Sequence, residues 1–155
     1  MIIIGVDPGL NGGICLLGSG YVPLFRMPTL PSGKGSGKVL DENQIMVWFK
    51  RTLGKGESSH AFIEKATAMP KQGVVSMFTF GCGFGIIRGI LVGLGIPYTL
   101  VTPQEWRKEL LKGMPKGKGS SLIVANRLFP KAVIGKHDGM AEALLIAEYG
   151  RRTLE

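Results

Sequence analysis

The sequence predicts an α/β fold with a mixed sheet, and three patterns support this prediction. Residues 2–6 form a nearly continuous β-branched run, which is typical of a strand covered on both faces. Residues 13–17 and 21–27 are further strand-like runs that follow glycine-containing turns, so we expect antiparallel hairpins. Helical patterns then alternate with two more strands. We therefore expect five strands flanked by helices in a single domain over residues 1–155.

The remaining elements follow in chain order. Residues 28–38, PTLPSGKGSGK, predict a mobile basic arm or an idle surface loop. Asp41 is placed as the N-cap of a first helix, with Gln44 completing a capping box, and Thr102 is placed likewise before Pro103. Strand-like runs cover residues 60–65 and 96–101, and further helices are expected over residues 103–111, 121–129 and 138–152.

A glycine repeat marks the segment 76–95. Gly81, Gly85, Gly89 and Gly93 recur at every fourth residue and would form one smooth ridge on a helix. Each costs about 1 kcal/mol relative to alanine, so we expect a close neighbour: another helix of the core, a second subunit or nucleic acid. Residues 74–98 carry one charge and are long enough to span a bilayer. The central Arg88 and the many glycines favour a buried helix and no membrane.

The charge balance favours an anionic partner. The chain has 19 Lys and Arg against 11 Asp and Glu, which gives a net charge of +8. Its 45% hydrophobic residues indicate a globular protein rather than a disordered one. Cys15 and Cys82 lack metal-type spacing, so we expect two buried reduced thiols. No basic segment precedes the first strand, and we expect a cytoplasmic protein.

Four acids stand where the ends of strands and helices would gather them: Asp7, Glu64, Asp138 and Glu142. Asp138 and Glu142 lie four residues apart, on one side of a helix, in apolar surroundings that disfavour two bare charges. A hard divalent cation resolves this conflict. Alternatives remain for each acid alone: Asp7 could cap a turn or belong to a phosphate-binding loop, and the others could form ion pairs or occupy a solvated helix start.

Three segments resemble the acidic motifs of a known family: IIIGVDPGLNGGI, FIEKATAMPKQGVVSMFTFGCGFG and KHDGMAEALLIAEYG. They are similar to RuvC-type Holliday junction resolvases of the ribonuclease H-like superfamily, most of all to the branch of the chloroplast resolvase and similar phage or bacterial sequences. Bacterial RuvC usually spaces its last two acids by three residues, so the spacing of four here agrees with the chloroplast-like branch. It leaves open whether Asp138 or His137 lies closer to the metal, and we expect His137 at the surface.

The resemblance implies a ribonuclease H-like fold and a homodimer that makes paired cuts in four-way DNA junctions. It implies two Mg²⁺ or Mn²⁺ ions per active site, products with 5′-phosphate ends, and Asp7, Glu64, Asp138 and Glu142 as catalytic metal ligands. The glycine ridge falls where the family builds its dimer interface.

The resemblance also identifies candidates for DNA contact. The loop after Glu64 matches the stretch that enters the junction centre, where we expect Lys71 and Gln72 to touch DNA. Met69 is either a wedge between bases or a core residue. The basic loop residues and the lysine before the last motif are candidates for phosphate contacts, and these are Lys112, Lys116, Lys118 and Lys136.

Three other function classes compete with this interpretation. A related nuclease could act on RNA or duplex ends, but the long loop and glycine-rich helix after Glu64 argue against it. A junction-binding protein without catalysis is disfavoured because all four acids are present. An actin-like or sugar-kinase-like ATPase would pair two domains around its nucleotide, for which 155 residues leave no room.

Overall fold

A five-stranded mixed sheet forms the centre of the computed structural model of the chain. The structure describes residues 1–18, 20–33, 35, 37–54, 56–67, 71, 73–117 and 119–155. The elements in chain order are β1 (Ile2–Asp7), β2 (Gly13–Leu17), β3 (Leu24–Arg26), β4 (Thr29–Pro31), β5 (Lys38–Leu40), α1 (Glu42–Thr52), β6 (Ser59–Glu64), α2 (Val74–Gly93), β7 (Tyr98–Val101), α3 (Pro103–Leu110), α4 (Ser120–Leu128) and α5 (Asp138–Leu154). The predicted α/β class and mixed five-stranded sheet are confirmed.

The strands of the main sheet lie in the order β3-β2-β1-β6-β7. β1 pairs antiparallel with β2 and parallel with β6, and β7 runs parallel to β6. β1 is therefore central and covered on both faces, which explains why the neighbours Ile3 and Ile4, which point to opposite cores, are both buried. The three parallel strands end at the same edge of the sheet. We call this the carboxyl edge, formed by Asp7, Glu64 and Val101.

Helices cover both faces of the sheet, and each face has its own apolar core. Residues of α3, α4 and α5 pack on one face, around Phe62 of β6. Residues of α1 and α2 pack on the other face, around Ile63. These two neighbours point to opposite cores because side chains alternate along a strand. The predicted N-caps of α1 and α3 are confirmed, and Thr102 and Glu105 form a capping box. Asp41 accepts from the amide of Gln44, but its own amide donates to the carbonyl of Pro28, so the capping box predicted with Gln44 is not formed.

The last helix, α5, lies unusually close to β1. A Cβ at Gly5 would overlap the carbonyl oxygen of Ala143 and the amide of Ala147. Gly139, in the first turn of α5, packs equally closely on the backbone at Gly12, just after β1. Small residues on both elements allow this approach. The contact fixes the start of α5 beside the carboxyl edge.

Residues 28–38 differ from the predicted mobile arm. β4 pairs antiparallel with β5 in a separate two-stranded sheet, with Leu30 opposite Val39. Leu40 is buried and packs against Gly83 of α2, so the end of β5 is part of the apolar core. The expectation of a mobile arm or idle loop is therefore wrong for the paired residues. Positions 34 and 36 lie outside the described residues.

The glycine ridge lies on an exposed face of α2. Among the described residues, a Cβ at Gly81, Gly85, Gly89 or Gly93 would meet no neighbour within 4 Å. The interpretation that the ridge packs in the core of its own chain is therefore wrong. Cys82, predicted to be buried, is also exposed, whereas the buried Cys15 is confirmed.

The exposed face also corrects the prediction that α2 is a buried helix. Phe78 is 74% exposed and Val75 is 80% exposed. The opposite side of the helix packs into the core through Ile87 and Leu91. By length and composition alone, α2 could cross a membrane, and 22% of its most apolar stretch is buried. One side of α2 therefore faces the core. Its other side is apolar and exposed, and no described residue covers it.

Candidate active site

The first two predicted acids lie on adjacent strands at the carboxyl edge. Val6 of β1 is in register with Ile63 of β6, so Asp7 and Glu64 end two parallel neighbouring strands. Both residues are half-buried. Asp7 Oδ1 also accepts a hydrogen bond from the amide of Gly9 at 3.1 Å. Asp7 therefore stabilises the turn after β1 and still presents a carboxyl group at this edge.

The second pair of acids reaches the same place on α5. The helix begins at Asp138, and Glu142 follows about one turn later. The packing of Gly139 on Gly12 holds this first turn beside the turn that follows Asp7. Asp138 is half-buried, and the side chain of Glu142 is 20% exposed. The fold thus brings together residues that are more than 130 positions apart in the chain.

Burial and mutual repulsion oppose ionisation of Asp7. Burial is the largest cause that raises its pKa, to about 7, and the negative charges of Glu64 and Glu142 raise it further. The hydrogen bond from Gly9 and the positive charge of Arg107 act in the opposite direction. Asp7 is therefore an acid whose ionised form needs positive charge nearby.

The pKa of Glu142 is raised for the same reasons. Burial contributes most, and the charges of Glu64 and Asp138 add to it. Arg107 and the hydroxyl of Ser121 lower this pKa in part. Asp7 and Glu142 each interact electrostatically with Glu64, and Glu142 also interacts with Asp138. The four carboxyl groups therefore form one cluster, which we call the acid cluster: Asp7, Glu64, Asp138 and Glu142.

Three residues that the sequence analysis missed contact the acid cluster. Trp106 is fully buried and donates its indole N–H to Glu64 Oε2 at 2.8 Å. Arg107 donates from Nη2 to Glu142 Oε1 at 3.0 Å, and the Ser121 hydroxyl donates to the same oxygen at 3.2 Å. One signal could have found the first two. α3 starts directly after β7, so its first turns had to lie at the carboxyl edge.

The donor chemistry of the acid cluster suits a hard divalent cation, because Mg²⁺ and Mn²⁺ bind carboxylate oxygens. In their present orientations, however, no three His, Cys, Asp or Glu side chains of the described residues are placed to hold one ion. Glu142 is paired with Arg107, and Glu64 is bonded to Trp106. The ligand types therefore fit, while ion binding requires these side chains to reorient, above all Glu142.

The predicted DNA-binding residues that the structure describes are exposed, and one of them shares a pocket with the acid cluster. Lys71 is exposed in the loop after β6 and has a φ of 70°. Lys116 and Arg107 line a pocket of about 490 Å³ that also reaches Glu142. Lys112, Lys136 and His137 are exposed. Three other candidates lie outside the described residues and remain predictions, and these are Met69, Gln72 and Lys118.

Solved structures share this fold over nearly its whole length. Thermus thermophilus RuvC in complex with a Holliday junction substrate has a TM-score of 0.66 and 12% identity, covering 99% of this chain and 96% of that chain. A second Thermus thermophilus RuvC structure has a TM-score of 0.61 and 15% identity over the same shares. The chain therefore has the RuvC fold, as its motifs predict.

One relative found by sequence comparison is named a Holliday junction resolvase. The chloroplastic Holliday junction resolvase MOC1 of Chlamydomonas reinhardtii is 30% identical over 94 residues, which cover 58% of this chain and 11% of that protein. The chain thus matches about a tenth of the length of this relative. No protein-family model matches the chain.

The raised pKa of Asp7 predicts an unusual pH dependence of stability. Because the folded state keeps a proton that the unfolded state releases, the contribution of Asp7 to the free energy of unfolding falls as the pH rises from about 4 to about 7. Asp7→Asn removes this dependence and should stabilise the metal-free protein by about 4 kcal/mol at pH 8, because the pKa of Asp7 rises from 3.8 to about 7 on folding. Urea unfolding at several pH values measures the difference between the two proteins.

Asp41→Asn is the matched control, because asparagine caps a helix as well as aspartate does. Its stability should follow that of the wild-type protein at every pH. A difference between wild type and Asp7→Asn that stays constant from pH 4 to pH 8 would contradict the raised pKa.

Proposed function

We propose that this protein is a structure-selective DNA endonuclease that resolves four-way junctions by paired phosphodiester cleavage in recombination, repair or phage DNA processing. The observation that carries the proposal is the meeting of Asp7, Glu64, Asp138 and Glu142 at one edge of a RuvC fold. A solved protein with this fold is in complex with a Holliday junction, and the sequence relative is named a Holliday junction resolvase.

The acid cluster supplies the ligands for two Mg²⁺ or Mn²⁺ ions. Such ions, when bound, supply the positive charge that stabilises the attacking and leaving oxygens in phosphodiester hydrolysis, leaving 5′-phosphate ends. Trp106 then keeps the Glu64 carboxylate oriented toward the site. Arg107 balances the charge of Glu142 before ions arrive and becomes available to a phosphate when Glu142 turns away.

The cations near the acid cluster provide the grip on the substrate. Lys116 and Arg107 share the pocket that reaches Glu142, so a phosphate held there lies next to the acids. Lys112 and Lys136 extend the exposed positive surface. Such contacts bind DNA without regard to sequence. Lys71 follows Glu64 by seven residues in the chain, and with Met69 and Gln72 it belongs to the segment that we propose enters the junction centre.

Paired cutting requires two active sites, and we propose that α2 provides the dimer interface. Its outer face is apolar and carries the glycine ridge Gly81, Gly85, Gly89 and Gly93, which no described residue covers. A twofold axis along this face would let two α2 helices approach closely, as small residues permit. We propose that the dimer acts in the cytoplasm of a bacterium or of a phage-infected cell, without membrane contact.

One observation favours a second candidate function, junction binding without cleavage. Arg107 already neutralises Glu142, and the described residues contain no preformed group of three metal ligands. A protein that only binds junctions needs no ions in this position. The two candidates differ in whether strands are cut when Mg²⁺ is added.

The decisive assay uses a labelled mobile four-way junction with and without Mg²⁺, and a linear duplex of equal length as the control substrate. We expect paired cuts in opposed strands of the junction, only with Mg²⁺, and a much slower reaction on the duplex. Asp7→Asn should bind the junction without cutting it. Equal rates on both substrates would contradict junction resolution, and binding by the wild type without any cutting would favour the second candidate.

Trp106→Phe tests the orientation of Glu64. Phenylalanine keeps most of the apolar packing but loses the N–H that bonds to Glu64, so cleavage should slow by about 10-fold or more with junction affinity unchanged. The Mg²⁺ concentration that gives half of the maximal rate should also rise. Trp48→Phe is the control, because Trp48 stacks on Phe25 in the other core. Equal cleavage by the two variants would exclude this role of Trp106.

Gly89→Leu tests the dimer interface. A leucine on the ridge leaves the core of the monomer intact, because a Cβ at that position would meet no described residue outside its own stretch of helix within 4 Å, but it would keep two α2 helices apart. We expect a monomer by sedimentation equilibrium and loss of paired cutting. Lys50→Leu, at an exposed position of α1, adds the same side chain elsewhere and should leave a dimer. A dimeric Gly89→Leu protein would place the interface on another surface.

A further inference from the structure

A second polar groove lies on the face of the sheet that α1 and α2 cover. It has a volume of about 360 Å³ and runs between the turn after β1, the end of β3 and the β4–β5 hairpin. We call it the hairpin groove. Its polar lining residues come from four separate parts of the chain, and these residues are Asn11, Arg26, Thr29, Lys38 and Gln44.

The hairpin groove is lined by positive charges and hydrogen-bond donors. Arg26 and Lys38 are exposed cations, and no ion pair formed by the described residues involves either of them. None of the described residues that line the groove is acidic. Every polar side chain in it can donate a hydrogen bond. Phosphodiester oxygens only accept hydrogen bonds and carry negative charge, so the lining matches a sugar–phosphate backbone.

The groove is held in a fixed position relative to Asp7. Met27, next to Arg26, donates its amide to the carbonyl of Gly12 at 3.0 Å, in the turn that follows Asp7. On the other side of the groove, Leu40 is 3% exposed and anchors β5 beneath α2. The cations are therefore carried by backbone that is tied to the core and to the acid cluster.

The groove also begins close to the acids. The carbonyl of Asn11 lies against Gly139, the residue that follows Asp138. The pocket that holds Arg107 and Lys116 reaches the cluster from the opposite face, through Glu142. The acid cluster is thus flanked by a cationic surface on each face of the sheet.

We infer that the hairpin groove is a second binding site for a DNA backbone, which holds a junction strand other than the strand being cut. The inference rests on the proposed function and extends it. One cationic surface, with Arg107 and Lys116, holds the strand at the acids. The hairpin groove holds a second strand on the other face, which a substrate with diverging arms offers and a single linear strand does not.

The test compares Arg26→Gln/Lys38→Gln with the wild-type protein by fluorescence anisotropy of a labelled four-way junction, without divalent cations. Loss of two phosphate contacts should reduce the slope of log affinity against log salt concentration by about 2. The loss of affinity should then be roughly 10-fold larger at about 50 mM than at about 200 mM salt. Lys50→Gln/Arg51→Gln removes the same charge near the far end of α1 and should keep the wild-type slope.

Gln44→Lys gives an independent test that needs no loss of contacts, because it adds a cation to the groove and should increase the slope by about 1. Thermal melting verifies that each variant is folded. If the wild type binds and cuts junctions but neither set of groove variants changes the slope, the groove inference is wrong and the proposed function stands. If the wild type does not bind junctions at all, the proposed function is wrong, and the groove inference that rests on it is wrong as well.

Discussion

The close packing of α5 on β1 is the constraint on which the candidate site depends. Gly5 allows Ala143 and Ala147 to rest on the central strand, and Gly139 rests on the turn after it. A larger residue at position 5 would hold the helix farther from the sheet, because its Cβ would overlap the backbone of α5. The short distance places Glu142 over the carboxyl edge, beside acids that come from two parallel strands. A packing interaction in the core therefore sets the geometry of the chemistry.

The electrostatics of the site follow from the same packing. Gathering acids in a half-buried place raises the pKa of Asp7 and of Glu142, first through burial and then through mutual repulsion. Arg107 opposes both shifts, from a pocket that is open to a polyanion. The cluster is thus left with fewer positive charges than acids, which is a state that favours cation binding. The outer surface has the opposite balance, since the chain as a whole carries +8. In the proposed nuclease, acids at the edge would bind the metal ions and bases around it would bind the phosphates.

Much of this arrangement could be predicted from the sequence, because strand ends and helix spacing are local properties. The run 2–6 and the acid after it predicted Asp7 at the end of a central strand, and the Asp138 to Glu142 spacing predicted two acids on one helix side. Trp106 was missed because a tryptophan on an amphipathic helix normally signals core packing, and its N–H partner comes from a distant strand. The pairing of residues 29–31 with residues 38–40 was missed because Pro, Gly and Ser dominate the composition of residues 28–38. Leu40 anchors β5 by packing against Gly83 of α2, and this contact joins residues that are distant in the sequence. The exposure of the glycine ridge likewise depends on which face of α2 meets the sheet.

Ion binding by the acid cluster can be observed directly in crystals soaked with Mn²⁺, from the anomalous scattering of the metal. We expect two peaks bounded by Asp7, Glu64, Asp138 and Glu142, with Glu142 turned away from Arg107. Peaks at other sites, or a fully soaked crystal in which Glu142 remains bonded to Arg107 and no ion lies at the carboxyl edge, would contradict a metal-dependent nuclease site.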